Sequence, residues 1–135
     1  MKLKLHHVNF STEKVAEMTG FYRDVLCLDD TDTDIPVLEK TKGYSGDVGF
    51  VWDGAVQVHL AEKDVQAGFK TGQIVNPLVK GHIAYRTDDL EAFKAHLADK
   101  GIPFSDWNHA AVKGWKQIFF YDPDGNIIEV HEVAD

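Results

Sequence analysis

The sequence predicts an α+β fold made of two tandem βαβββ modules, and two observations support this prediction. The first is an internal repeat: at a shift of 75 residues (82 minus 7), Leu5–Val15 aligns with Lys80–Leu90 without a gap. The second is the order of hydrophobic periodicities, because each copy alternates like a strand, then follows a helical spacing, then returns to short strands separated by turns. At 135 residues the chain suits one domain composed of two half-modules.

Module one is expected over about residues 1–62 and begins with a strand over 3–10, where polar and apolar residues alternate. Ser11 or Thr12 then caps a helix. The residues that form the apolar stripe of this helix, and are expected to be buried, are Val15, Met18 and Tyr22. A second strand is expected within 26–38.

A glycine-containing loop and a hairpin complete module one. Residues 39–49 predict a flexible loop whose length suits a site cover. Strands over 48–52 and 55–60 flank Asp53-Gly54, because this dipeptide supplies the positive backbone angles that a tight turn requires. Residues 63–78 contain no strong periodic element and are expected to connect the two modules.

Module two is expected over about residues 79–135 and repeats the order of module one. A strand over 79–86 precedes a helix that Thr87 or Asp88 caps. The core-facing residues of this helix are Leu90, Phe93 and Leu97. The three strands expected after it lie near 103–106, 115–121 and 126–131.

Composition and charge exclude several classes of protein. The net charge of −8, with 14 Lys and Arg that form no stripe, would repel nucleic acid. A content of 44% hydrophobic and 27% charged residues predicts a soluble globular chain, since no apolar run approaches the roughly 20 residues of a membrane span. The first residues lack the features of a signal peptide, so we expect a cytoplasmic protein with no membrane partner.

Two local features are expected to be structural. Cys27 is the only cysteine, and its apolar neighbours predict a buried small hydrophobe instead of a nucleophile. The acidic run Asp29–Asp34 lacks the glycine turn and the terminal glutamate of an EF-hand, and we expect it to face solvent.

Polar residues at the ends of the modules are the strongest candidates for a functional site. The four that could bind a metal are His7, His59, His82 and Glu129. Their apolar neighbours are expected to occupy the face of each strand that a helix covers. All four side chains are therefore expected on the opposite face. The same alternation places His6 on the face opposite His7, and places His131 on the face of Glu129.

Three imidazoles and one carboxylate suit a divalent zinc, nickel, iron, manganese or cobalt ion. An octahedral ion with four protein ligands would keep two open positions, where oxygens of a small substrate could bind. The residues expected to form the substrate pocket are Asn9, Gln57, Arg86, Trp107 and Trp115.

Five motifs hold or accompany these residues. They are Leu-His-His7-Val-Asn-Phe, Phe21-Tyr-Arg-Asp-Val-Leu, Val-Gln-Val-His59-Leu, Gly-His82-Ile-Ala and Asp122-Pro-Asp-Gly-Asn-Ile-Ile-Glu129. Together they resemble the vicinal oxygen chelate superfamily, which includes glyoxalase I, methylmalonyl-CoA epimerase, extradiol dioxygenases and bleomycin-binding proteins. The resemblance implies a cup of paired modules around a divalent metal, with ligands from the first and last strand of each module, and a homodimer.

The resemblance also implies a glyoxalase I-like lyase or isomerase that moves a proton next to the carbonyl of a small metal-chelated substrate. Glu129 and His59 would then be the catalytic groups. Bacterial glyoxalase I enzymes typically have glutamate where this chain has His59, so only Glu129 keeps the role of a carboxylate.

Three alternatives stay open. His7, His82 and Glu129 also resemble the two-histidine, one-carboxylate site of iron(II) extradiol dioxygenases. A small-molecule binding protein of the bleomycin-resistance type would need no metal. Thiol transfer of the fosfomycin-resistance type would need a basic pocket, for which the candidates are Arg86, Lys113 and Lys116.

Overall fold

The structure is a computed structural model that describes residues 2–31, 44–110 and 112–133. In chain order its elements are β1 (Lys4–Thr12), α1 (Val15–Asp24), β2 (Asp29–Asp30), β3 (Val48–Trp52), β4 (Gln57–Glu62), α2 (Ala67–Thr71), β5 (Gly81–Arg86), α3 (Leu90–Asp99), β6 (Ser105–Asn108), β7 (Trp115–Tyr121) and β8 (Ile127–Val133). The order βαβββ occurs twice, and the predicted α+β class is confirmed.

The described strands form one sheet in the order β2-β3-β4-β1-β5-β8-β7-β6. The first strands of the two modules, β1 and β5, pair antiparallel at its centre. Each of them also pairs in parallel with the last strand of its own module, β1 with β4 and β5 with β8. The module ends that carry the four candidate ligands therefore meet in the middle of the sheet.

The seam between β1 and β5 requires a glycine at its end. Gly81 has a φ of 139°, a backbone angle that L side chains rarely adopt. A Cβ at this position would also clash with the backbone carbonyl of Asn9. The close approach of the two strands here brings the adjacent His82 opposite Asn9 in the pairing.

Helix α3 covers a well-filled core in module two. Its Leu90, Phe93 and Leu97 are buried, as the sequence predicts. They pack with residues of β7 and β8 that point to the same side, namely Ile118, Phe120 and Val130. This cluster removes a continuous apolar surface from water, which is the main favourable term in folding.

The predicted helix caps are wrong by one to three residues. Helix α3 is capped by Asp89, whose side chain accepts a hydrogen bond from the backbone of Ala92. Thr87 instead accepts from the backbone N–H of Asp89, so it shapes the turn before the helix. In module one, Lys14 occupies the cap position without a side-chain bond, while Thr12 accepts from the backbone N–H of Lys14.

The turn after α1 also differs from expectation. Cys27 is exposed, so its predicted burial is wrong. The chain closes the helix end through a hydrogen bond from the backbone of Leu28 to that of Tyr22. Cys27 lies inside this turn with a left-handed φ of 59°.

The connection between the modules contains the short helix α2, which the sequence pattern does not predict. Its Ala67 is buried in a second core cluster, together with Tyr44 and Trp107. Half of the acidic run and most of the segment 26–38, where a strand is predicted, lie outside the described residues. Asp29 and Asp30, which form β2, are exposed. None of the helices in the described ranges is long and apolar enough to cross a membrane.

Candidate metal centre

Three of the four candidate ligands converge in the middle of the sheet. Glu129 Oε1 lies 3.1 Å from His82 Nε2 and 3.7 Å from His7 Nε2. Strand register explains the convergence, because His7 on β1 and Glu129 on β8 both pair with Ala84 on the intervening β5. The small side chain of Ala84 leaves room between its larger neighbours, and the three ligand atoms form a group that could hold a metal ion.

The backbone fixes the tautomer of His82. Its Nδ1 lies 3.1 Å from the carbonyl oxygen of Pro77, which can only accept a hydrogen bond. Nδ1 therefore carries the proton, and the lone pair of a neutral His82 Nε2 faces the carboxylate oxygen of Glu129. Two such lone pairs repel one another unless a cation or a proton lies between them, and metal-binding histidines have this same second-nitrogen contact.

A second chain of hydrogen bonds orients Glu129. Its other oxygen, Oε2, lies 2.6 Å from His131 Nδ1. Arg86 Nε donates to His131 Nε2 over 2.9 Å, so the proton of a neutral His131 must be on Nδ1, from which it donates to Glu129. Trp115 completes the arrangement by stacking on His131 and lying beneath the Arg86 guanidinium. Arg86 and His131 thus direct Oε1 of Glu129 toward the histidines of the group.

The prediction that His6 lies opposite His7 is wrong. An irregularity in the β1–β5 pairing between Leu5 and His7 makes His6 the extra residue of a β-bulge. The Nδ1 atoms of the two neighbouring histidines lie 2.7 Å apart, and the His6 ring also contacts His131. His6, His7 and His131 form another possible metal group, but the Arg86 guanidinium contacts His6 and His131 and would repel a cation there.

His59 is close to the centre but is directed differently. Its ring stacks on that of His7 with centroids 3.8 Å apart. Its Nε2 lies 2.7 Å from the side-chain oxygen of Gln57. Among the described residues, the group around Glu129 contains His7 and His82 but not His59.

Burial and charge give His7 and Glu129 the protonation states of metal ligands. Burial lowers the pKa of His7 well below its usual value, and does the same for the pKa of His59. Burial alone would raise the pKa of Glu129, but interactions with His7, His131 and His82 outweigh it and hold that pKa well below its usual range. Neutral imidazoles beside an ionised carboxylate are the forms that bind a divalent metal.

A cavity of about 620 Å³, counting its open mouth, lies over the group. Its walls are largely apolar and include Val48, Phe50, Leu78, Trp115 and Phe119. Among the described residues that line it there is no lysine or arginine. A concave, mostly apolar site with a few convergent polar groups is typical of small-molecule binding.

The expected pocket residues occupy three different places. Asn9 and Trp115 line the cavity. Gln57 and Arg86 instead bind histidines, as described above. Trp107 lies in the second core cluster and donates from its indole to the carbonyl oxygen of Val75.

Gln117 lines the cavity and was missed in the sequence. A signal was present, because strand alternation places Gln117 on the same face of β7 as Trp115 and Phe119. A single glutamine among aromatic residues carries little indication of function by itself.

The fold and the site together define a protein of paired βαβββ modules with a candidate metal centre at their junction. Residues 4–130 match the family described as Glyoxalase/Bleomycin resistance protein/Dioxygenase superfamily. The chain belongs to this family, which confirms the resemblance that the motifs indicate.

Individual relatives are distant. The chain is 24% identical over 131 residues to the metallothiol transferase FosB of Shouchella clausii, covering 94% of this chain and 78% of that protein. It is similar in fold to a hypothetical protein from Bacillus halodurans, with a TM-score of 0.72, 17% identity and coverage of 100% and 97% of the two chains. A methylmalonyl-CoA epimerase of Streptomyces coelicolor gives a TM-score of 0.69, 21% identity and coverage of 99% and 100%.

Proposed function

We propose that the protein is a divalent-metal-dependent enzyme of glyoxalase I-like type, a lyase or isomerase that transfers a proton next to the carbonyl of a small oxygen-bearing substrate. The observation that carries this proposal is the buried contact between His82 Nε2 and Glu129 Oε1 at 3.1 Å. On the far side of each residue, His82 Nδ1 donates to the carbonyl oxygen of Pro77 and Glu129 Oε2 accepts from His131, and these bonds keep the two acceptor atoms facing one another.

His7, His82 and Glu129 would hold the metal, for which zinc, nickel, iron(II), manganese and cobalt are all suitable. When bound, such an ion supplies Lewis acidity toward a substrate oxygen. Two contacts hold these residues in place: the carbonyl oxygen of Pro77 fixes the tautomer of His82, and His131 orients Glu129. The surrounding apolar walls would exclude water from the substrate.

His59 is the residue we propose as the proton carrier. It lines the cavity, and its ring stacks on the metal-binding candidate His7. Burial lowers its pKa, so its imidazole is neutral at neutral pH and able to accept a proton. Glu129 is the other predicted catalytic group, but its Oε2 already accepts from His131 while Oε1 faces the metal group.

An iron(II) dioxygenase is the second candidate function. The observation that favours it is the composition of the converged group, two imidazoles and one carboxylate, which is typical of non-haem iron(II) oxygenases. Thiol transfer to a phosphonate is less well supported. Among the described residues, Lys113 and Lys116 do not line the cavity, and Arg86 is hydrogen-bonded to His6 and His131.

Metal binding tests the proposal first. Metal-free protein titrated with each ion, under argon for iron(II), should show one site per chain by calorimetry and a rise in Tm. His82→Gln should abolish this response, whereas the matched control His96→Gln, at an exposed position on α3, should retain it. Wild-type protein that binds none of the ions would exclude the proposed function.

The reaction is tested next with the metal-loaded protein. Exchange of a carbon-bound hydrogen for deuterium in α-hydroxyketones, or in the adduct of methylglyoxal with a thiol, would support proton transfer. Oxygen uptake on catechols by the iron(II) form, without such exchange, would replace it with the dioxygenase reaction.

We also propose that the protein is a homodimer. Helix α1 and the segment after it expose the apolar side chains of Phe21, Val25 and Leu26, and contiguous exposed apolar patches often mark interfaces. Light scattering should give twice the mass of the chain for the wild type. A monomeric mass across the micromolar range would contradict the proposal.

A further inference from the structure

Two buried polar atoms in the cavity have no hydrogen-bond partner among the described residues. They are Asn9 Nδ2, a donor, and Gln117 Oε1, an acceptor. Both side chains line the cavity, and the residues are only 4% and 3% exposed. Because a buried polar atom without a partner destabilises a fold, such an atom in a native structure requires an explanation.

The two atoms lie on either side of the candidate metal group. Asn9 is on β1, where it pairs with His82 on one side and with His59 on the other. Gln117 is on β7, where it pairs with His131 of β8. Strands β5 and β8 lie between them in the sheet, so a molecule seated over His82 and Glu129 has an amide donor toward β1 and an amide acceptor toward β7.

Charge further restricts what can bind. A divalent cation with neutral His7 and His82 and an ionised Glu129 leaves the centre with one positive charge. Among the described residues that line the cavity, no lysine or arginine is available to balance additional anionic charge. Since uncompensated charge is costly among apolar walls, a ligand with one negative charge is the one that the ion and the described lining residues balance.

The geometry points to Asn9 and Gln117 as the residues that select the substrate: a compact, singly charged molecule with an apolar body that accepts a hydrogen bond from Asn9 Nδ2 and donates one to Gln117 Oε1. This inference deepens the proposed function and rests on its metal centre. Singly charged hydroxamates, which carry a carbonyl oxygen and an N–H, belong to this class of molecule. Phosphonate dianions and larger multiply charged molecules do not.

Benzohydroxamate is a suitable probe, because it is a singly charged two-oxygen chelator with a phenyl body, a carbonyl acceptor and an N–H donor. It should bind the metal-loaded protein more tightly than the dianion of phenylphosphonate, and neither compound should bind the metal-free protein in calorimetry. Tighter binding of phenylphosphonate would overturn the charge argument.

Three variants separate ligand contacts from simple burial. Asn9→Leu and Gln117→Met remove the two unpartnered atoms from the cavity, while Ser11→Ala removes an unpartnered buried oxygen that is not among the cavity-lining residues. All three should raise the Tm of the metal-free protein, because each removes an unsatisfied polar atom. Only the first two should weaken benzohydroxamate binding, by about tenfold each, with metal affinity unchanged.

The outcomes distinguish the two proposals. Normal metal binding with unchanged benzohydroxamate affinity in both cavity variants would overturn this inference and leave the proposed function standing. Absence of metal binding by the wild type would overturn both. If either variant fails to fold, the unmutated zinc-loaded protein gives the answer by NMR: the side-chain amide resonances of Asn9 and Gln117 should shift on adding benzohydroxamate, and unshifted resonances would count against the contacts.

Discussion

The two modules have the same order of elements but use their first helices differently. In α3 the apolar stripe Leu90, Phe93 and Leu97 is buried. In α1, all of whose residues are described, Val15, Met18 and Tyr22 occupy the equivalent stripe and none is fully buried. The partners explain the contrast, because α3 meets large side chains of β7 and β8, whereas α1 approaches β3 at a glycine, Gly49, that lies against Thr19.

The same contrast appears at the metal centre. His59 lies in the last strand of module one as Glu129 lies in that of module two, yet the two side chains have different partners. Glu129 is directed toward the group by His131 and Arg86, whereas His59 Nε2 is bound to Gln57. The comparison teaches that equivalent positions in a repeat acquire different roles through neighbours two residues away on the same strand face.

The helix comparison gives the largest expected effect. Leu97→Ala should destabilise the protein by about 2–5 kcal/mol, because it leaves a cavity in a filled cluster. Met18→Ala should cost about 1 kcal/mol, since its side chain is only partly buried. Urea unfolding of both variants measures the difference, and equal losses would show that α1 has a covered core in solution.

The comparison of Glu129 with His59 gives the second-largest expected effect. Glu129→Gln should lower metal affinity by more than about 100-fold, because it removes the only carboxylate of the group. Loss of a residue that only supports a ligand costs up to roughly 100-fold. His59→Gln should change metal affinity by less than about tenfold while lowering turnover sharply. Calorimetry and activity assays check this, and a comparable affinity loss in His59→Gln would make His59 a fourth ligand.

The hydrogen-bond chain behind Glu129 is expected to have a smaller effect. Arg86→Met should weaken metal binding by about 10–100-fold, since it frees the tautomer of His131 and thereby the orientation of Glu129. Arg23→Met, which removes an exposed ion pair with Asp30, is the matched control. Nitrogen-15 NMR should show His131 protonated on Nδ1 in the wild type and a different tautomer in Arg86→Met. An unchanged tautomer would contradict the role of Arg86.

The hairpin turns give the smallest effect. Backbone hydrogen bonds from Val56 and Ala55 lower the pKa of Asp53, and side-chain and backbone bonds from Asn126 lower that of Asp122. A carboxyl whose folded pKa is depressed stabilises the fold above its unfolded pKa of about 3.9, and this stability is lost as the pH falls through the folded value.

Asp122→Asn should therefore lose less stability than the wild type when the pH falls from about 6 to about 3, around that unfolded pKa. Asp99→Asn, an exposed acid at the end of α3, serves as control. Urea unfolding at both pH values measures the change. A pH dependence identical to that of the wild type would show that the turn carboxylate makes no linked contribution.

The sequence was sufficient to predict the fold and the convergence of three of the four metal-binding candidates. The 75-residue repeat (82 minus 7) indicates two copies of one module, and strand alternation places His7, His82 and Glu129 on one face of the sheet. Both features depend on spacing along the chain, which is directly visible in a sequence.

The remaining features depend on departures from regular spacing or on contacts between strands. A bulge brings His6 beside His7, although strict alternation predicts the opposite face. The bond between Arg86 and His131 joins residues that are distant in the chain and becomes visible only with the register of β5 and β8. The left-handed backbone of Cys27 is likewise unexpected for a residue other than glycine or asparagine.

The junction of β1 and β5 gives the candidate metal centre a mechanical role. His7 belongs to one half of the chain, whereas His82 and Glu129 belong to the other, so an ion held by all three would act as a removable cross-link across the central seam. Metal binding should then slow amide hydrogen exchange in β1 and β5 more than in the outer strands. Two separately produced halves, divided within the connection, would be expected to reassemble most tightly when the ion is present.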